Sequence, residues 1–194
     1  MAASPDFVRL LRRLDELLQQ HRPDYYATLN PPASEAELAA FEAEFELTLT
    51  PELRQWFGWH DGQQDYNSFF QNNCLQSLES VTESMRVNNE LLADGDFTHN
   101  WWRTSWVPFL ENGGGDHVCV DLEGTFTGRA GQIMEHWHDW EARTVLFPDL
   151  TSWLAAVVRS YEAASADTAL LSDEIVVELA PVHPEGYPQE FAAD

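Results

Sequence analysis

Three consecutive glycines, Gly113-Gly114-Gly115, stand between the apolar run Trp106-Val107-Pro108-Phe109-Leu110 and the alternating run His117-Val118-Cys119-Val120-Asp121. Glycine reaches backbone angles that other residues avoid, so the chain is expected to reverse there and form a hairpin. Beyond the turn, Val118, Val120 and Leu122 alternate with His117, Cys119 and Asp121, the period of a strand with one buried face. The segment 132–137 offers a third strand. A phosphate cradle is the rival reading of the glycines. It needs a Lys-Ser/Thr pair opening a helix, whereas this chain has no lysine and Asp116 would repel a phosphate.

The hairpin sits in a chain of 194 residues, 44% hydrophobic, with eight Trp and eleven Phe, enough apolar surface for one domain with a core. No basic segment followed by an apolar run opens it, and no stretch approaches the length of a membrane span, so a cytoplasmic protein is expected. Cys74 and Cys119 lack CxxC spacing and offer no disulfide framework; both read as ordinary buried or half-buried thiols. The charge is unusual: 33 acidic residues against 10 basic ones, all arginine, for a formal net charge of -23. A field of that sign repels nucleic acid and anionic membrane, so neither is expected as a partner. It leaves two explanations open, a solubility device or a basic protein partner.

Helix signals flank the central hairpin. Ser4-Pro5 starts an amphipathic helix to about Gln20, with Phe7, Leu10, Leu11, Leu14, Leu17 and Leu18 on one stripe. Ser34 and Glu37 form a capping box for a second, and Thr50-Pro51 starts a third, carrying Leu53, Trp56 and Phe57. Val81, Met85, Asn88, Leu91 and Leu92 predict a helix over 80–93. Leu150, Trp153, Leu154, Val157, Val158 and Tyr161 predict a last long one. Trp101, Trp102 and Trp106 read as core area rather than a sugar-stacking platform. Residues 163–194 form an acidic extension, read either as a flanking arm or as a weak strand at 175–179 before a Pro-rich end.

Asn30-Pro31-Pro32, Glu42, Leu49-Thr50-Pro51, Asp61-Gly62, Trp106-Val107-Pro108-Phe109, Asn112 through Asp116, Cys119-Val120-Asp121, Gly131-Gln132 and His138-Asp139 make an ordered set. With a closing amphipathic helix, it resembles the SUKH superfamily, in the branch typified by the yeast cell-wall assembly regulator. The resemblance spans about residues 8–162. It implies an α+β domain, residues 1–162, with a central, mostly antiparallel sheet packed with helices. It also implies a non-catalytic role, with no cofactor: an immunity protein that neutralises a bacterial toxin domain, or a regulatory scaffold. Thr50, where the family usually has Leu, and the acidic extension depart from the pattern and leave open which surface meets a partner.

Chemistry-bearing groups are sparse. His136 and His138 at strand spacing would share a face, with a carboxylate completing a metal site, but no third fixed ligand is evident, and the reading is no metal. Cys119 has no activating base in view and no nucleophile elbow is present, which leaves a metal-dependent hydrolase as the remotest alternative. The candidate partner-binding residues are loop carboxylates and an amide: Asp61, Asp65, Asn112, Asp116, Asp121 and Glu123. These would present acceptors to arginines of a basic toxin domain, with Trp59, Tyr66 or Trp102 as apolar anchors.

Overall fold

The computed structural model describes residues 2–98 and 100–193. The chain begins with α1 (Pro5–His21), where Ser4 Oγ accepts the Phe7 N–H and Pro5 supplies the first helical φ. A four-residue helix, α2 (Pro23–Tyr26), interrupts the connector that three prolines would otherwise keep extended. In α3 (Glu35–Glu44) both halves of the expected capping box are made, Ser34 taking the Glu37 N–H and Glu37 taking the Ser34 N–H. Thr50 caps α4 (Pro51–Phe57) by accepting the Leu53 N–H, with Pro51 at the first helical position. Gly62, at φ 77, follows; a Cβ there would lie 2.5 Å from the Ser77 backbone nitrogen, so only glycine lets this loop close against the next segment.

That segment is the two-residue strand β1 (Cys74–Leu75), which leads into α5 (Leu78–Asp94), capped by Ser77. The expected hairpin is β2 (Trp106–Glu111) and β3 (His117–Asp121), reversed at the glycines. Its register places Glu111 opposite His117 and Trp106 opposite Asp121. The third strand is β4 (Gln132–His136), followed by β5 (Ala142–Phe147) and the long helix α6 (Leu150–Ser165). The segment read as a weak strand is instead a short helix, α7 (Asp173–Val177). Asp173 and Glu174 suit a helix N-terminus, and Val176 reaches the core while its carbonyl accepts the Gln71 N–H, so tertiary contacts override the β-branched run. Last comes β6 (Gln189–Ala192), paired with β5; Asp194 lies outside the described residues.

The fold is α+β: six strands in the order β1 to β6, every neighbour antiparallel. One face carries the main core. Phe109 of β2 meets Trp56 of α4 and Trp153 of α6 edge-on, with centroids 5.8 and 4.9 Å away, and α1 lies along α6. Each large apolar side chain buried here stabilises by about 1.5–3 kcal/mol relative to exposure. On the other face Trp102 and Trp106 are fully buried, which removes them from any stacking platform, and α5 packs on β2.

Two arginines are interior. Arg22 donates to the carbonyl of Ser68, to Tyr161 Oη and to Asp173, joining the end of α1 to α6 and α7. Arg143 donates to the carbonyls of Trp101, Trp140 and Ala142 and lies 4.7 Å from the Trp101 ring centroid, pinning the loop before β2 to β5. Burial lowers its pKa to about 10.

Candidate functional site at the hairpin end of the sheet

The β2–β3 turn is built by Asn112. Its side-chain oxygen accepts the N–H groups of Gly114 and Asp116, and its amide donates to Asp116 Oδ2 at 2.7 Å. Asp116 in turn accepts the His138 backbone N–H at 3.0 Å and lies 2.8 Å from His138 Nδ1. Partial burial pushes the Asp116 carboxyl up, but these hydrogen bonds outweigh it and hold the group below its ordinary value. The same contact raises the His138 pKa. Asn112 and Asp116 therefore shape the loop that follows β4 as well as their own turn.

The other candidates divide between the two ends of the sheet. Asp61 accepts the Leu78 N–H at 2.7 Å and so helps start α5; burial raises its pKa. Asp65 is exposed beside the hairpin. Asp121 is 0% exposed, and its two oxygens accept the N–H groups of Glu123, Gly124 and Thr125 and the Gln132 amide. Its role is to close the β3–β4 connection from inside, and in this conformation a partner cannot touch it. Glu123 is exposed on that connection, at the end of β3 opposite Asp116. Of the aromatic candidates, Tyr66 is 78% exposed, Trp59 is half-buried with its indole N–H donated to Asp15, and Trp102 is interior.

His136 and His138 do not share a site. His136 ends β4 inside the protein, between Trp102 and Trp106, and burial takes its pKa down to about 3; His138 lies beyond the strand and is exposed. Among the described residues the group that could gather a cation is Asp116, His138 and Asp139, with ligand atoms within 4.8 Å of one another, and two of the three are exposed. Both thiols are buried, and burial raises Cys74 to about 11 and Cys119 further still, so neither is a nucleophile as placed.

Sequence reasoning missed a cleft between the hairpin and α5. Its deeper compartment, about 190 Å³, is lined by Gln76, Ser77, Ser80, Asp65, Tyr66 and Glu111, among others. A shallower one of about 440 Å³ shares Tyr66, Ser80 and Glu111 and extends along α5 past Glu83, Ser84 and Val87. Ser80, Glu83, Ser84, Val87 and Asn88 stand at i, i+3, i+4, i+7 and i+8, one stripe of the helix, which was the only local signal of this face.

The SMI1 / KNR4 family (SUKH-1) matches residues 32–156, from the proline pair before α3 to the middle of α6. The chain belongs to this family. Two relatives bear related names. The cell wall assembly regulator SMI1 of Saccharomyces cerevisiae is 20% identical over 202 residues, covering 79% of this chain and 40% of the yeast protein. A KNR4/SMI1 homolog of Eremothecium gossypii is 33% identical over 57 residues, 29% of this chain and 9% of that protein. The chain thus spans less than half the length of either curated relative. The SUKH-1 match takes in the cleft, the hairpin and the whole of β2 to β5. Among the described residues no helix is long and apolar enough to cross a membrane.

Proposed function

We propose that this SUKH-1 protein acts without catalysis, by stoichiometric binding of another protein, as an immunity protein that neutralises a basic toxin domain. The observation that carries the reading is the placement of charge against chemistry. The acids behind the net charge of -23 line exposed faces, such as Glu79, Glu83 and Glu90 on α5, while both thiols and the His117–His136 pair are buried. An acidic surface of this kind complements a nuclease's nucleic-acid groove, and occupying that groove denies it substrate.

A regulatory scaffold is the second reading, favoured by the name of the yeast relative. Affinity capture of the tagged protein from its own cell lysate, at low and at high salt with mass spectrometry, separates the two. A basic toxin fragment in a one-to-one complex that weakens with salt is the expected result. Signalling or envelope proteins in its place move the function to the scaffold. Undiminished binding by a variant with Glu79, Glu83 and Glu90 replaced by Gln rejects the electrostatic part.

A further inference from the structure

Resting on the reading of the protein as a binder of another protein, we propose that the cleft between α5 and the β2–β3 hairpin is a receptacle for one arginine side chain of that partner. The floor is unsatisfied. Gln76 is 1% exposed; its amide nitrogen makes only long contacts, 3.3 Å to Ser80 Oγ, 3.4 Å to Glu111 Oε2 and 3.5 Å to Ser84 Oγ, and its Oε1 accepts no hydrogen bond among the described residues. A buried acceptor without a donor is uncommon; this one lies beneath the floor of the cleft, closed to water in this conformation, so an entering donor satisfies it only after the Gln76 side chain shifts.

Beside it stands Glu111, half-buried, with no ion pair among the described residues. Burial raises its pKa, the mark of a carboxylate that lacks a cation. Asp65 and Glu83 add negative charge at the edges, and no arginine lines either compartment.

Geometry selects the guanidinium. A compartment of about 190 Å³ holds far more than one water, which takes about 30 Å³, yet falls below the size of a drug-like pocket. Its lining carries the Glu111 carboxylate and the Ser77 and Ser80 hydroxyls above the Gln76 amide, a set of acceptors that suits a flat group with five N–H donors better than a compact, strongly hydrated ammonium. Tyr66 forms the wall. Its ring lies beside Gly113 of the hairpin, where an added Cβ would be in ordinary contact with Cε1 at 3.4 Å, and the side chain is exposed at the mouth. An aromatic face in that place stacks on guanidinium.

The test needs no natural partner. The full chain, uniformly labelled with nitrogen-15, is titrated with N-acetyl-arginine amide, with the lysine analogue, and with the citrulline analogue, which has nearly the same shape but no charge. Saturable shifts centred on the Gln76 side-chain amide, Ser80 and Glu111 are expected for arginine, weaker ones for lysine and none for citrulline. Glu111→Gln should weaken arginine binding about tenfold or more, and Tyr66→Ala, at an exposed position that leaves folding intact, several-fold. Equal response to citrulline, shifts spread over all acidic faces, or indifference to both substitutions would overturn the receptacle. Because the probe is independent of the lysate capture, a failed titration beside a captured basic partner removes this site alone. A successful titration beside a failed capture supports the site while removing the immunity reading.

Discussion

His117 and His136 face each other across β3 and β4, their ring centroids 6.1 Å apart and their planes within 25° of parallel. Among the described residues neither nitrogen of His136, nor Nδ1 of His117, has a hydrogen-bond partner. Burial holds His117 at about 4 and His136 at about 3, with Arg143 nearby adding to the displacement of the latter, against an ordinary value of 6.5. The unfolded chain therefore takes up two protons below about pH 6.5 that the fold refuses, and stability falls as pH falls from 7 toward 3. At about 1.4 kcal/mol per pKa unit, the loss between pH 7 and pH 4 is on the order of 5 kcal/mol. Urea denaturation across that range measures it, and His136→Phe should flatten the curve.

Glu135 works in the opposite sense. Burial, reinforced by the charge of Asp116, raises it from 4.5 to about 7. Its contribution is complete below pH 4.5 and is lost as pH rises through 7. Glu135→Gln should match the wild type at pH 4.5 and exceed it at pH 8 by on the order of 3 kcal/mol. Equal stability at both pH values in paired denaturation curves would contradict the half-buried, uncompensated carboxyl.

Arg143 is held by carbonyls and an indole instead of a carboxylate. Arg143→Lys keeps the charge and loses the planar fork that spans Trp101 and Trp140. A destabilisation of about 2–4 kcal/mol is expected, with exposure of the loop before β2 visible as a change in Trp101 fluorescence.

Asp121 and Glu123 share a loop and a charge but not a role. Asp121→Ala leaves three backbone N–H groups without their acceptor and should cost about 2–4 kcal/mol, whereas Glu123→Gln at its exposed site should stay within about 0.5 kcal/mol. Thermal unfolding of both variants decides this. Only the second is then suited to testing partner binding.

Local chemistry explains which elements could be read in advance. Ser4-Pro5, the Ser34–Glu37 box and Thr50-Pro51 satisfy helix ends with neighbours in the chain, so their caps appear in the sequence as they do in the structure. The apolar spacing predicts α5 only from residue 80, two residues inside its actual start, because its cap, Ser77, has neither a Pro at the first position nor a Glu at the third. The hairpin was legible from its glycines. Arg22 and Arg143 were not, since a buried arginine depends on carbonyls contributed by distant segments. Nor was β6, whose four residues alternate in burial but become a strand only by pairing with β5. At the hairpin end, Asn112 and Asp116 were singled out as acceptors; both are present there, yet each is already committed to the turn. Tyr66 is legible as a candidate anchor, but Gln76 and Glu111 are not, because separate segments bring the three together and a lone Gln or Glu carries no signal of an absent counterpart.

The strand order also sets an order of assembly. From β2 to β5 each strand lies beside the one just before it in the chain, joined by a short connection, so each pairing closes a small loop and costs little chain entropy. β6 reaches its place only after the chain has passed through α6 and α7. Hydrogen exchange during refolding should find β2 and β3 protected first and β6 last, and under native conditions β6 should open most often. The sheet would then grow like a zipper from its glycine turn, with its last strand the one most readily undone.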